Sequence, residues 1–303
     1  MAETFLSTDS YLVGQPQPDL VVLGARHAVL YPGDHPHAAD APAAIRRASQ
    51  RLARFAGHYD FDLDAPFGFG NLAVVDAGNV GTRADAPSQN VELIGHAVNR
   101  VVKTGAIPIV LGGDDSVPAA VIRGFHGHPV TVLHFDAHLD FRDEVRGVGD
   151  GFSSGMRRVT EMTWVRRVVH VGLRGVGSAR PQDQADTLAA GNLIVTAREL
   201  IHAGPRSVLD HLDKREPFVV SFDCDVLEPS AFPAVRAQVP GGPGYREVLD
   251  VLVGAIARST LRGAVFTEFA SDRDVHGRSA ETIARLISQM ITAIADKERD
   301  TSP

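Results

Sequence analysis

Short apolar, β-branched runs alternate with longer segments whose apolar residues recur every three or four positions, almost from end to end of the chain. That rhythm predicts an α/β fold built on a parallel sheet. Strands are expected at Leu20–Gly24, Leu72–Asp76, Ile107–Leu111, Val130–Phe135, Arg167–Val171, Leu193–Thr196, Phe218–Phe222 and Gly263–Glu268. Most of these runs are continuously apolar, as strands buried on both faces are. Amphipathic helices are expected at Ala41–Ala53, Ser88–Lys103, Tyr245–Arg258 and Ser279–Lys297, with Asp40, Ser88 and Ser279 placed to start them. Loop-rich stretches fall at Tyr31–Asp40, His58–Gly70, Asn79–Pro87, Phe141–Ser154 and Glu228–Gly244. No internal repeat, low-complexity tract or Pro/Gly/Ser linker divides the 303 residues, so one domain over 1–303 is expected.

Composition narrows the class. A content of 44% hydrophobic and 22% charged residues is that of a folded globular protein. Lys+Arg 30 against Asp+Glu 37 gives a net charge of -7, which argues against a nucleic-acid partner. One cysteine, Cys224, cannot make an internal disulfide, and MAETFLSTDS lacks the basic flank and apolar run of a secretory leader. No apolar stretch approaches the roughly 20 residues of a membrane-crossing helix. The expectation is a cytoplasmic protein with no membrane span.

The candidate chemistry lies at strand ends. In Thr131-Val-Leu-His-Phe-Asp-Ala-His-Leu-Asp140 an apolar run leads into Asp136, His138 and Asp140. Side chains two apart in an extended chain face the same way, so the three converge. Phe218-Val-Val-Ser-Phe-Asp-Cys-Asp225 repeats the arrangement with Asp223 and Asp225. Ligands of open parallel sheets bind beyond the carboxyl ends of the strands, where these clusters meet if their strands are neighbours. Four carboxylates packed together repel one another and take up protons unless cations stand between them. Carboxylates that can bridge, with one imidazole and no thiolate cluster, suit Mn²⁺ or a similar borderline-hard ion better than a structural zinc, and fit a two-metal site. A single Asp at a strand end is ordinarily a helix cap; the pairing of Asp-x-His-x-Asp with Asp-x-Asp is what favours metal. A third run, Ile107–Val117, ends in a glycine pair suited to a tight turn and offers Asp114, Asp115 and Ser116, either as turn and N-cap or as a further ligand.

These three segments resemble the arginase/agmatinase family of ureohydrolases, whose pattern is Gly-Gly-Asp-His-Ser, then Asp-Ala-His-x-Asp, then Ser-x-Asp-x-Asp-x-x-Asp-Pro. Here the corresponding stretches are Gly112–Ser116, Asp136–Asp140 and Ser221–Pro229, in the same order. Thr267-Glu268-Phe269, Gly277-Arg278-Ser279-Ala280 and Val171–Gly175 are also similar to family segments. The resemblance implies a three-layer α/β/α sandwich with a central, mostly parallel sheet. It also implies two divalent metal ions, Mn²⁺ first with Ni²⁺ or Co²⁺ as alternatives, and hydrolysis of a small guanidino substrate to urea and an amine. By position, Asp136 and Asp223 would bridge the ions, Asp115 and Asp140 would complete one, and His138 with Asp225 the other. A bridging water acidified by the two ions would attack the guanidinium carbon, Asp140 would hold it by a hydrogen bond, and Glu268 would accept from the guanidinium nitrogens. A buried structural pairing is the competing role for Glu268. The resemblance further implies a homo-oligomer, a trimer or hexamer.

The chain departs from the pattern in three places. Asp115 replaces the family's metal-binding histidine, giving five carboxylates with charge -5 against +4 from two ions. The loop histidine that agmatinase-like relatives carry is absent from Asp150–Arg158, where Phe152 or Ser153 stands near its place and Ser153 and Ser154 either cap the helix carrying Met156–Met162 or touch substrate. Glu228 replaces the usual Asp before Pro229, and Phe232-Pro-Ala-Val-Arg236 replaces Ala-Pro-Gly-Thr-Gly. His134 is read as a packed core imidazole rather than a ligand, Cys224 as a small buried hydrophobe, and His27, His35 and His37 as exposed loop residues without a role. Two other functions compete with guanidino hydrolysis: a deacetylase-like amide hydrolase, and a non-catalytic structural or regulatory paralogue.

Overall fold

The computed structural model describes residues 3–10, 17–177 and 179–301; the first two residues of the stretch read above for a leader lie outside them. In chain order the strands are β1 (Asp9–Ser10), β2 (Leu20–Ala25), β3 (Tyr59–Asp60), β4 (Ala65–Pro66), β5 (Val74–Asn79), β6 (Ile107–Gly112), β7 (Val130–Phe135), β8 (Val165–Leu173), β9 (Leu193–Thr196), β10 (Phe218–Asp223) and β11 (Leu261–Thr267). The helices are α1 (Ala41–Ala53), α2 (Pro87–Lys103), α3 (Val117–Arg123), α4 (Gly155–Thr160), α5 (Pro181–Ala189), α6 (Ala197–Ala203), α7 (Arg206–Leu209), α8 (Tyr245–Arg258) and α9 (Arg278–Thr301). Among the described residues, nine strands form one sheet in the order β1-β5-β2-β6-β11-β10-β7-β8-β9, every pair parallel, while β3 and β4 make a separate antiparallel hairpin.

The alternation of side chains along a strand builds the layers. On β7 and β10, Leu133, Phe135, Val220 and Phe222 join a core with Ile45 of α1, Leu252 of α8 and Ile287 of α9. Val130, Val132 and Val219 point the other way, into a second core with Ile94 of α2, Val121 of α3 and Met156 of α4. Two apolar faces with helices on each give the α/β/α sandwich expected, each fully buried large side chain adding roughly 1.5–3 kcal/mol. A buried ion pair ties one edge: Arg46 Nε and Nη2 lie 2.8 and 2.9 Å from the Asp76 carboxylate, which also accepts from the Phe5 backbone N–H at 2.8 Å. No helix among the described residues is long and apolar enough to cross a membrane.

The expected helix starts need correction. Ser88 lies inside α2, which begins with Pro87 after Ala86. Ser279 lies inside α9, whose opening Ser279 and Ala280 N–H groups donate to the Asp274 carboxylate at 2.9 and 3.0 Å. Asp40 does precede α1, but its carboxylate pairs with Arg26 at 3.2 Å instead of capping.

Candidate active site

The central order β6-β11-β10-β7 makes neighbours of the four strands whose carboxyl ends carry the candidate chemistry. Phe222 pairs with Phe135 and Asp223 with Thr267, so Asp136 and Asp223 leave the sheet side by side, with Glu268 one residue beyond β11. The expected meeting of the Asp clusters depends on this adjacency. The glycine pair after β6 works by its lack of a side chain: neither residue has a positive φ. A Cβ on Gly112 would stand 2.7 Å from the Phe266 carbonyl oxygen, and one on Gly113 would stand 1.7 Å from that of Arg26. Asp140 (φ 47°) and Glu268 (φ 61°) hold left-handed backbone conformations, which cost a non-glycine residue energy and are found preferentially at functional sites.

Two groups of donor atoms form there, each spanning no more than 4.8 Å: Asp115, His134, Asp136 and Asp140 in one, and Asp136, His138 and Asp225 in the other. Asp136 belongs to both. His138 Nδ1 lies 3.0 Å from Asp225 Oδ2 and 3.3 Å from Asp136 Oδ1. The backbone then locks the carboxylates: Asp136 Oδ1 accepts from His138 N–H at 2.5 Å, and Asp225 Oδ1 accepts from Ala137 N–H at 3.1 Å. Asp223, given a bridging place by sequence, lies outside both groups, lines the adjoining cavity and accepts from Asp225 N–H at 2.7 Å. Thr267 Oγ1 donates to Asp115 Oδ1 at 2.7 Å, while Asp115 N–H donates to Glu268 Oε1 at 2.9 Å. Asp114 accepts instead from Ser116, whose hydroxyl also receives Val29 N–H at 2.8 Å, so this pair braces the loop.

The electrostatics match a site built for cations. Burial, then the neighbouring carboxylates, pushes the Asp115 and Asp223 pKa values well above the usual carboxylate range. Burial and then Asp136 do the same to Asp140, and burial followed by Asp225 raises Asp136 to about 7. Burial lowers the pKa of His138, but its contacts with Asp136 and Asp225 outweigh that and carry it to about 11. Asp115 Oδ2, Asp136 Oδ2 and His134 Nε2 are buried without a hydrogen-bond partner. Orphaned acceptors of that kind are costly, and divalent cations satisfy oxygen and imidazole donors together.

His134 is buried, as expected of a core residue, yet its Nε2 is 3.0 Å from Asp136 Oδ2 and belongs to the first donor group. The signal available in the sequence was its place two residues before Asp136, on the same strand face. Of the loop histidines, His35 is exposed as expected, but His27 is buried and His37 sits in the wall of the site cavity. His37 Nε2 donates to Glu268 Oε2 at 2.6 Å, and Arg236 Nη1 donates to His37 Nδ1 at 3.2 Å. One hydrogen-bonded line thus runs from Arg236 through His37 and Glu268 to the Asp115 backbone. Phe152, near the place of the missing loop histidine, packs edge-on against Tyr31 at 4.5 Å and His37 at 6.4 Å. Ser153 N–H donates to the Tyr31 hydroxyl at 3.1 Å, and Ser154 precedes α4 without a side-chain cap bond.

Asp115, His138, Asp140 and Asp225 of the donor groups line a cavity of about 500 Å³, with Asp136 and His134 fully buried, and the lining also includes Arg142, Arg146 and Arg236. Glu228 and Arg174 brace the loops that follow Asp225. Glu228 Oε2 accepts from Gly241 and Gly242 N–H, both at 2.8 Å. Arg174 donates to the carbonyl oxygens of Asp225 (2.8 Å), Val226 (3.0 Å) and Val239 (2.7 Å), pinning the turn that carries Asp225. Cys224, within that turn, is packed in the apolar core as expected.

The sequence matches the Arginase family over residues 19–292. It is 27% identical to an agmatinase of Bacillus subtilis over 254 residues, 82% of this chain and 83% of the relative. Among solved structures it is similar to proclavaminate amidino hydrolase from Streptomyces clavuligerus, with TM-score 0.83, 24% identity and 97% of each chain covered. A formiminoglutamase of Trypanosoma cruzi with Mn²⁺ is also similar, with TM-score 0.82, 21% identity and 99% of each chain covered. Sheet order, the three motif segments and this family match agree: the chain belongs to the arginase family of metal-dependent amidine and guanidine hydrolases.

Proposed function

We propose that this protein hydrolyses the guanidino group of a small substrate to urea and an amine, using two divalent cations, with Mn²⁺ as first choice and Ni²⁺ or Co²⁺ as alternatives. The observation that carries the reading is the pair of donor groups sharing the buried Asp136, whose other members Asp115, Asp140, His138 and Asp225 line one cavity. Asp115, Asp136 and Asp140 would hold one ion, and Asp136, His138 and Asp225 the other, with Asp223 beside both. When bound, such ions supply a water acidified toward neutral pH and charge stabilisation for the developing tetrahedral centre. Asp140, at the cavity floor, holds the proton released by the attacking water. Glu268 Oε2 accepts N–H bonds from the guanidinium plane, and His37 is a positioning residue that fixes the Glu268 carboxylate. The oxygen ends on the guanidino carbon, the C–N bond breaks, and the protons leave on the amine.

The cavity lining favours one class of substrate tail. Arg146 is neutralised by Asp34 at 3.2 Å, whereas Arg142 meets Asp183 only at 3.8 Å and Arg236 makes no ion pair among the described residues. A second ammonium, as in agmatine, is repelled where it meets Arg142 and Arg236; a carboxylate there is attracted and can be held by the arginine fork. Guanidinoalkanoates are therefore expected to outperform agmatine. The experiment is urea release from Mn²⁺-loaded protein across agmatine, arginine, guanidinoalkanoates and small alkylguanidines. A preference for the acids that weakens in Arg236→Ala supports the reading. Faster turnover of agmatine than of any acid refutes the tail assignment, and silence of metal-loaded protein across the panel refutes guanidino hydrolysis.

A further inference from the structure

We infer that His134 is itself a ligand of the first cation, supplying from β7 the imidazole that the family pattern places where this chain has Asp115. The inference rests on the proposed two-cation site. Sequence position alone speaks against it, because His134 lies inside an apolar strand; the hydrogen bonds of its ring speak for it.

His134 is wholly buried, with Nδ1 3.0 Å from Nδ1 of the equally buried His170. His170 Nε2 in turn lies 3.2 Å from Thr187 Oγ1, which also receives Asn192 Nδ2 at 3.0 Å. If His170 donates Nε2–H to Thr187, its Nδ1 is bare and accepts Nδ1–H from His134. His134 Nε2 then presents a lone pair to the carboxylates. That is the arrangement of a metal-ligating histidine, whose second nitrogen donates to an outer acceptor that fixes its tautomer and orientation. The opposite tautomer would put a proton on His134 Nε2, facing Asp136 Oδ2 at 3.0 Å. The angle there makes no hydrogen bond, so both atoms stay unpartnered, as does the buried Asp115 Oδ2. A single cation held among Asp115, His134, Asp136 and Asp140 would relieve this, since one ligating atom from each of the four residues lies within 4.8 Å of the others.

The exchange leaves each ion one imidazole, His134 on the first and His138 on the second, while Asp115 adds a carboxylate. It explains how a chain that lost the family histidine retains a nitrogen donor at that ion: the donor moved from the end of β6 to β7, across the intervening β11 and β10.

The test loads purified protein with Co²⁺ alone, counts ions per chain by elemental analysis, and records paramagnetically shifted imidazole N–H signals by proton NMR. Two shifted ring N–H signals are expected, one remaining in His138→Gln and a different one remaining in His134→Gln. His134→Gln is also expected to weaken one of the two ions by more than about a hundredfold. Two bound ions with one shifted signal, lost in His138→Gln, overturn the assignment of His134 and leave the two-cation reading standing. No bound ion in the parent overturns the two-cation reading itself. The parent spectrum and His138→Gln decide the matter even if His134→Gln fails to fold.

Discussion

Replacing Asp136 with asparagine should make the metal-free protein more stable while destroying its capacity for two ions. Asp136 is completely buried, and its pKa is raised from 3.8 to about 7, first by burial and then by Asp225. A folded-state pKa above the unfolded one means that the folded chain binds the extra proton. The associated stability is present below about pH 4 and is lost as pH rises through 7. The shift of about 3 units corresponds to roughly 4 kcal/mol at pH 8, at 1.36 kcal/mol per unit. The substituted asparagine keeps an Oδ1 for the His138 N–H bond now at 2.5 Å and brings no charge, so that penalty disappears. Unfolding free energies from denaturant titration of chelator-stripped protein should favour Asp136→Asn by about 4 kcal/mol at pH 8 and by less than about 1 kcal/mol near pH 4. With saturating Mn²⁺ the order should reverse, because ligand binding to the folded parent adds stability that the variant forgoes. A stripped variant no more stable than the parent at pH 8 would show that Asp136 is comfortable as a buried anion, and the reasoning from charge frustration to a cation site would fail.

Three further outcomes follow from particular contacts. Arg46→Ala strands the buried Asp76 carboxylate and should cost about 3–5 kcal/mol, read from the denaturant midpoint, with Arg46→Met/Asp76→Leu recovering most of it. Gly113→Ala places a Cβ 1.7 Å from the Arg26 carbonyl oxygen and should cost at least the ~1–3 kcal/mol typical of overpacking; wild-type stability would mean that this approach is not rigid. His37→Asn should leave ion content unchanged yet lower kcat/KM by tenfold or more, about 1.4 kcal/mol, because Glu268 loses the bond that fixes its Oε2; unchanged kinetics would remove His37 from the site.

Where local pattern decides structure, the sequence was readable. The bounds of β7, β9, α1 and α8 coincide with those expected, because continuous apolar runs and three-four spacing fix them without reference to distant residues. β5 starts two residues later than the apolar run at Leu72, whose N–H is still bonded within a turn to Phe69 at 2.9 Å. The starts of α2 and α9 were missed for a related reason: Ser88 and Ser279 have capping chemistry, but Pro87 and Asp274 occupy the geometrically effective places. The short helices α3, α5, α6 and α7 are too brief to show a periodic face and are held by packing on the sheet.

The convergence of Asp136, His138 and Asp225 on one point could be read because a strand ending in alternate polar residues declares its direction. His37 could not, since it meets Glu268 across 231 positions of sequence, and only the fold brings them together. Arg174 was likewise seen only as part of a motif, although its guanidinium holds four carbonyl groups of the Asp225 turn and the adjoining loop. His134 carried conflicting signals, an apolar strand around it and a metal motif two residues on. The hydrogen bonds of His170 and Thr187 are what favour the ligand role proposed above, and no sequence pattern records those.

The most direct test of a two-cation guanidino hydrolase is to titrate metal-stripped protein with Mn²⁺ while measuring ions bound per chain and urea formed from a guanidinoalkanoate. The account predicts two ions per chain in the parent, urea appearing as the second ion binds, and neither full loading nor urea in Asp136→Ala. Urea formed at an undiminished rate by stripped protein or by Asp136→Ala would contradict it, as would a parent that binds no ion.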